Sequence, residues 1–202
     1  MQRHLYLASR SPRRLELLRQ LGLSPIVLPL RSSPDRMDVD ETPLPGEPGI
    51  DYVLRLARLK VEAGVLARQM RRLPPWAILA ADTTVTVDGQ VLGKPTDARE
   101  AAAMLRLYSG RTHTVLTAVA AAHQGRVRVA LNESQVTFKP LAEAEIAAYI
   151  ACGEPFDKAG GYGIQGRAAL FIEHLSGSYS GVMGLPLFET AQLLREVGFE
   201  VL

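Results

Sequence analysis

Apolar positions in this chain of 202 residues follow two periods, and each change of period marks a change of element. Leu5 to Ala8 is a short apolar run that predicts a buried strand. Ser11-Pro12 then reads as an N-cap followed by proline at the first helical position, with Leu15, Leu18 and Leu21 at helical spacing and Gly22 at the stop. Ile26 to Leu30 predicts a second strand. The Pro- and Asp-rich stretch from Ser32 to Gly49 is too long for a plain connector and belongs with functional loops. Ile50, Val53, Leu54, Ala57, Val61 and Val65 mark one face of a long amphipathic helix, ended by a basic run and Pro74-Pro75.

Ala77 to Ala81 predicts a buried strand ending at Asp82-Thr83, and Val85 to Leu92 alternates around Asp88-Gly89, a two-residue hairpin signal. Asp97 with Glu100 resembles a capping box ahead of a helix bearing Ala101, Met104, Leu105 and Tyr108. Thr112 to Ala122 and Val127 to Phe138 predict two long strands, and a helix is expected from about Glu143 to Ile150. A glycine-rich loop (154–166), a strand near Ala169 to Ile172, a second glycine-rich loop (176–186), a helix from Leu187 to Val197 and a terminal strand complete the chain. Helices alternate with strands and hairpins are mixed in, so the prediction is an α/β fold with a mixed, twisted sheet and flanking helices. No repeat, low-complexity tract or linker divides it, and residues 1–202 are expected to form a single domain.

With 47% hydrophobic and 22% charged residues the chain can bury a sizeable core, which excludes disordered and fibrous classes. Its one cysteine, Cys152, rules out a disulfide framework and a thiolate metal cluster, and is expected to serve packing. The start MQRHLYLASR lacks a secretory apolar run, and no uncharged stretch reaches the roughly 18 residues that span a bilayer, so a cytoplasmic protein without a membrane segment is expected. Net charge is +2, but residues 1–75 carry +5 and the remainder −3. That basic excess is far below a polybasic tail, and Arg68, Arg71 and Arg72 have only Trp76 as an aromatic neighbour; nucleic-acid binding is not expected, whereas a small anionic ligand fits.

Candidate chemistry begins at Ser9-Arg10-Ser11-Pro12-Arg13-Arg14. A helix N-terminus already carries partial positive charge, so two arginines in its first turn oppose stability unless an anion reverses the sign. Free N–H groups, serine hydroxyls and guanidinium forks make a phosphate cradle; the plain alternative is a solvated helix start. Asp82-Thr83, after an apolar run, stands where ligands of open α/β sheets gather, and the Asp82 carboxylate could hold a metal or take a proton from water. Gly161, Gly163 and Gly166 spell G-x-G-x-x-G, but no strand feeds the loop and no helix follows, so the dinucleotide reading fails. What remains is a loop whose glycines let the backbone approach a ligand while Asp157, Lys158 and Gln165 project. Tyr179 occupies the place of serine in G-x-S-x-G, which excludes a nucleophile elbow. His4, His113, His123 and His174 lack metal-ligand spacing, so any metal should be a hard ion such as Mg²⁺ or Mn²⁺ held by oxygens.

Taken together, Ala8-Ser9-x-Ser11-Pro12-Arg13-Arg14, Val39-Asp40-Glu41, Leu56-Ala57-x-x-Lys60, Ala81-Asp82-Thr83, Gly93-Lys94-Pro95, Ser109-Gly110-Arg111-Thr112-His113, Glu154-Pro155-x-Asp157-Lys158-Ala159-Gly160 with Tyr162, Ile164-Gln165-Gly166 and Gly184-Leu185-Pro186 resemble the Maf family of nucleoside triphosphate pyrophosphatases, from about residue 5 to 190. The resemblance implies two lobes around a central cleft, as in inosine triphosphate pyrophosphatases, and hydrolysis of a nucleoside triphosphate to the monophosphate and pyrophosphate. It implies Asp82 as general base, with Arg14, Lys60, Lys94, Lys158, Ser9 and Ser11 as phosphate ligands and Glu41 as a second acidic ligand beside Asp82 for a divalent cation, Mg²⁺ or Mn²⁺. On the residues alone, Asp82 as base and Asp82 as metal ligand are both open. Arg13, Thr83 and Gln165 resemble the specificity set of the branch acting on dTTP and UTP. The Gln165 amide can accept from N3–H and donate to O4 of uracil or thymine, although flipped it would serve cytosine. Hydrolysis of 7-methyl-GTP, as in the related branch, and a nucleotide-binding regulator of septum formation are the alternatives, and a homodimer is implied.

Overall fold

The computed structural model describes residues 4–33 and 36–201. Strand β1 (His4–Leu7) leads into helix α1 (Pro12–Gln20), and the chain returns in β2 (Ser24–Val27), two residues earlier than the apolar run predicted. Parallel pairing with β1, His4 opposite Ser24 through Leu7 opposite Val27, fixes that register. Ile26 and Val27 remain about 40% exposed because β2 is an edge strand, so burial could not have marked its bounds. The long loop holds a small ribbon, β3 (Ser32–Ser33) with β4 (Arg36–Met37), before helix α2 (Gly49–Met70).

Strand β5 (Ile78–Val87) turns at Asp88-Gly89 into β6 (Gln90–Leu92), as the hairpin signal predicts. Helix α3 (Ala98–Tyr108) is capped by Asp97, whose side chain accepts from Glu100 N–H; the Glu100 carboxylate reaches back one residue further than in a capping box, to Thr96. Long strands β7 (Thr112–His123) and β8 (Arg126–Phe138) precede helix α4 (Glu143–Ala151).

Beyond α4 lie 3₁₀ turns at Glu154–Asp157, Ala159–Gly161 and Arg167–Phe171, then β9 (Ile172–Ser176), short helix α5 (Tyr179–Val182) and α6 (Leu187–Glu196). The strand predicted near Ala169 to Ile172 is therefore a 3₁₀ turn followed by a later strand: Ala168 and Phe171, three apart, are the buried pair, and the period there is three and not two. No terminal strand follows α6 among the described residues. Gly198 at φ +80 and Phe199 close the helix, Gly198 N–H donating to Arg195 C=O and Phe199 N–H to Leu194 C=O, so the apolar Phe199 is carried into the core by a helix-ending turn.

Seven strands make one mixed sheet in the order β2-β1-β5-β7-β8-β9, with β6 paired to β5; β1 is parallel to β2 and β5, and the other pairs are antiparallel. Side chains alternate faces along a strand, and β5 sorts them strictly. Leu79 and Ala81 join the core under α1 and α6 with Leu5, Leu7, Leu18 and Leu194. Ile78 and Ala80 join the core under α2 with Val53, Ala57 and Val61. A third cluster around Val85, Leu105, Tyr108, Phe138 and Tyr162 fills the space between the sheet's far end, α3 and α4. Burial on both faces explains why Ala77–Ala81 reads as a continuous apolar run.

Candidate active site

The alternation along β5 also sends Asp82 and Thr83 to opposite faces. β5 continues to Val87, so these two residues lie inside a strand and not at its end; parallel pairing with β1 stops at Leu79, and beyond it the sheet opens on a cleft of about 970 Å³. Every candidate residue lines this cleft. Ser9, Ser11, Arg13 and Arg14 come from the β1–α1 turn, Glu41 from the long loop, Lys60 from α2, Asp82 and Thr83 from β5, Lys94 from the loop after β6, and Lys158 and Gln165 from the glycine-rich loop.

On the α2 side, Asp82 is 8% exposed and its Oδ1 accepts from Lys60 Nζ at 2.6 Å. The same ammonium lies 2.9 Å from Glu41 Oε1. Lys60 points at the sheet because it follows Val53, Leu56 and Ala57 on the buried face of α2, a polar position inserted in an apolar stripe. The loop bringing Glu41 is pinned to the same helix. Tyr52 donates its hydroxyl to Glu41 C=O, and Arg55 forks onto the Glu47 carboxylate at 2.6 and 2.7 Å while also reaching Thr42 C=O. Burial, with the negative charges of Asp82 and Glu41, pushes the Tyr52 phenol up to about 12, so it stays a donor at neutral pH.

On the opposite side Arg14 is folded into the protein: Nε donates to Gly184 C=O at 2.7 Å, Nη1 to Ser9 Oγ and Nη2 to Thr83 Oγ1. Burial lowers the Arg14 guanidinium from its usual value, and the neighbouring Asp82 charge opposes that. Thr117, directly across from Thr83 in the sheet, has its Oγ1 3.0 Å from Thr83 Oγ1 and 2.8 Å from Gly181 C=O. Arg14 Nη2 donates to Thr83 Oγ1 from one side, and the Thr117 hydroxyl is the donor within reach of both Thr83 Oγ1 and Gly181 C=O, so this chain ties Arg14 to Gly181. Thr117→Val keeps the shape but removes both contacts of the Thr117 hydroxyl in a fully buried place, while Gly181 C=O keeps Gly184 N–H and Thr83 Oγ1 keeps Arg14. A loss of about 1–3 kcal/mol is expected, read as a lower urea midpoint at unchanged slope; an unshifted midpoint would remove the chain from the stability of the fold.

Helix α1 offers its first-turn N–H groups to the cleft. Ser11 occupies the N-cap position but its side chain does not cap, and Ser11 N–H itself bonds to Ser9 Oγ at 3.2 Å. Arg13 Nη1 meets the Asp157 carboxylate at 3.1 Å from across the cleft, and Lys158 Nζ is shared between that carboxylate and Glu154 C=O. Burial acts to raise the Asp157 carboxyl, but hydrogen bonds from Lys158 and Arg13 outweigh it and hold the group below its usual value. Lys94 makes no ion pair, and the Gln165 side chain no hydrogen bond, among the described residues.

The glycines of the 154–166 loop are occupied by the protein itself. A Cβ on Gly160 would lie 2.4 Å from Val85, on Gly163 2.8 Å from the Lys158 stem, and on Gly166 2.3 Å from the Glu154 carboxylate. The sequence pattern suggested close approach to a ligand; what approaches is the loop's own framework. His113 is structural: it is buried against Tyr108 and Phe138, bonds the Tyr162 hydroxyl at 2.7 Å, and is held neutral by burial with a pKa of about 4. Cys152 Sγ bonds Tyr149 C=O. Tyr52, Thr117 and Glu154 were not legible as site residues, because their roles depend on contacts between residues distant in sequence or on main-chain atoms.

For a divalent cation the donor set fits a hard ion. Glu41 and Asp82 already share one ammonium, and two carboxylates completed by phosphate oxygens suit Mg²⁺ or Mn²⁺. Among the described residues no group of three or more His, Cys, Asp or Glu side chains is gathered that could hold a metal by itself. No described helix is long and apolar enough to cross a membrane.

Known proteins resemble this chain over nearly its whole length. The family model described as Maf-like protein matches residues 4–197. A dTTP/UTP pyrophosphatase of Aromatoleum aromaticum is 58% identical over 201 residues, covering 98% of both chains. Proteins of the same name from Nitrosomonas europaea (54% identical, 98% of this chain and 96% of that one) and Cupriavidus metallidurans (56%, 96% of each) are similar. Among solved structures, the Ham1 protein of Staphylococcus aureus is a partial likeness, with a TM-score of 0.46 at 15% identity over 67% of this chain and 71% of that one.

Proposed function

Because the chain belongs to the Maf family, we propose that it is a nucleoside triphosphate pyrophosphatase, hydrolysing dTTP and UTP to the monophosphate and pyrophosphate. The observation that carries the reading is the cleft itself, in which cationic side chains from four separate segments surround one nearly buried carboxylate, Asp82. Close relatives at 51–58% identity bear the name of this activity.

In the proposed reaction a water oxygen bonds to the α-phosphorus as the bond from that phosphorus to the β-bridging oxygen breaks, and the water's proton goes to Asp82. Lys60 holds Oδ1 of Asp82, and among the described residues Oδ2 has no donor, so one oxygen orients the carboxylate while the other is available to water. Charge builds on the departing pyrophosphate. Lys94, Lys158 and the first-turn N–H groups of α1 meet it, with Ser9 and Ser11 adding hydroxyls. Arg14, already committed to Gly184, Ser9 and Thr83, contributes charge from a fixed position. A divalent ion on Glu41 and Asp82 would supply Lewis acidity toward phosphate oxygens.

The base is read by Gln165, Thr83 and Arg13. Gln165→Glu keeps an acceptor for N3–H but replaces the donor to O4 by a carboxylate oxygen, and the KM for UTP and dTTP is expected to rise about tenfold or more while CTP gains in relative preference. An unchanged preference profile would remove Gln165 from base contact. The reading as a whole is tested with dTTP, UTP, CTP, ATP, GTP and 7-methyl-GTP under Mg²⁺ or Mn²⁺, resolving pyrophosphate from orthophosphate. Pyrophosphate with dTTP and UTP favoured is the expected result. Preference for 7-methyl-GTP would refute the pyrimidine pocket, orthophosphate would refute the bond broken, and a folded protein without turnover would refute the enzyme.

A further inference from the structure

Glu154 stands behind the cleft wall and is built into the loop that carries Gln165. Its Oε1 accepts from the Tyr149 hydroxyl at 2.9 Å and its Oε2 from Arg167 N–H at 2.9 Å. The carboxylate lies so close under Gly166 that a Cβ there would fall 2.3–2.5 Å from its three atoms. The two residues following Gln165 are thus fixed by one side chain, which is anchored in turn to a tyrosine packed against Phe171. A second arm leaves from the same residue by a different route: Glu154 C=O accepts from Lys158 Nζ at 2.7 Å. The side chain governs the base-reading end of the loop, and the main chain governs the lysine at the phosphate end.

We infer that Glu154 is a positioning residue for base recognition, holding Gln165 in place through Gly166 and Arg167. The inference rests on the reading of Gln165 given above. A glutamine amide discriminates uracil from cytosine only in a fixed orientation, and a displacement of its backbone loosens both hydrogen bonds to the base. Because the arm to Lys158 uses the carbonyl, Glu154→Ala removes support from Gln165 and leaves the phosphate end held.

Product inhibition separates the two ends. In Glu154→Ala the inhibition constant of UMP is expected to rise about tenfold, that of pyrophosphate to stay within about twofold, and the KM for UTP to rise while kcat is kept. Glu154→Gln should restore wild-type values, its carbonyl accepting from Arg167 N–H and its amide donating to the Tyr149 oxygen. Amide exchange at Arg167 should quicken in the alanine variant and not in the glutamine one. Tyr149→Phe, which frees Oε1 while keeping the ring, carries the same test if the alanine variant does not fold. Equal weakening of UMP and pyrophosphate, or neither, would overturn the inference. If the wild type binds a different monophosphate best, the pyrimidine reading fails, and the clamp is decided by whether that monophosphate is weakened in the same selective way.

Discussion

Asp82→Asn is expected to lower turnover of dTTP and UTP by at least about a hundredfold, the lower end of what a positioned general base contributes, while nucleotide affinity is largely kept. The substitution is nearly isosteric. Asparagine Oδ1 can still accept from Lys60, and Lys60 still holds Glu41, so the α2 side of the cleft keeps its arrangement. What is lost is the negative charge and the ability to take a proton from water. The groups expected to grip the phosphates, Lys94, Lys158 and the α1 N-terminus, do not depend on Asp82 for their positions. Pyrophosphate release under saturating substrate gives the turnover, and titration with the α,β-methylene analogue of UTP gives the affinity. Wild-type turnover in the variant would remove Asp82 from the chemistry. Weakened binding of the analogue in step with turnover would make it a substrate or metal ligand and not a base.

Why Asp82 was legible in the sequence, and its neighbourhood less so, follows from how each signal arises. The run Ala77–Ala81 is apolar because helices cover both faces of β5, and the sudden polar pair after it marks the place where one covering gives way to the cleft. The same polarity suggested that the strand ended there. It continues because Thr83, Thr84 and Thr86 suit a strand and pair with β7 through Thr117 to Thr114, cross-strand contacts that no local pattern records. The hairpin at Asp88-Gly89 and the cap at Asp97 were legible because a turn or cap is written in adjacent residues. The final strand was misread because four apolar or acidic residues after a helix look alike whether they pair with a sheet edge or tuck into the core as Phe199 does. In the site, charged residues in ordered blocks announced themselves. Thr117 did not, and Glu154, although it opens one of those blocks, showed no role there, since a threonine inside a strand and a glutamate near a turn are ordinary until their partners, Gly181 and Arg167, are known.

Gly160→Ala is expected to destabilise the protein by about 2–5 kcal/mol and to impair catalysis in whatever fraction folds. Two effects add at this position. The backbone holds φ at +71, where a side chain costs about 1–2 kcal/mol, and the new Cβ would stand 2.4 Å from Val85 Cγ2 and 2.9 Å from the Tyr108 hydroxyl, an overlap in a core already filled by Phe138 and Tyr162. Relief requires the loop to move. Gly160 N–H donates to Gly93 C=O at 2.8 Å, and Gly160 C=O accepts from Tyr108, whose hydroxyl burial keeps protonated. The glycine therefore joins the segment bearing Lys94 to the segment bearing Lys158, and displacing it separates two cations proposed to meet the same pyrophosphate. Gly161→Ala is the internal control. It has the same φ of +71, but its Cβ would find Pro95 at 3.4 Å, ordinary contact, so only the backbone effect of about 1–2 kcal/mol should remain. Urea midpoints of the two variants, with pyrophosphate release measured well below each transition, separate strain from overlap. Equal destabilisation of the two would show that the Val85 contact yields easily. Full activity in a destabilised Gly160→Ala would show that Lys94 and Lys158 are not held in register through this glycine.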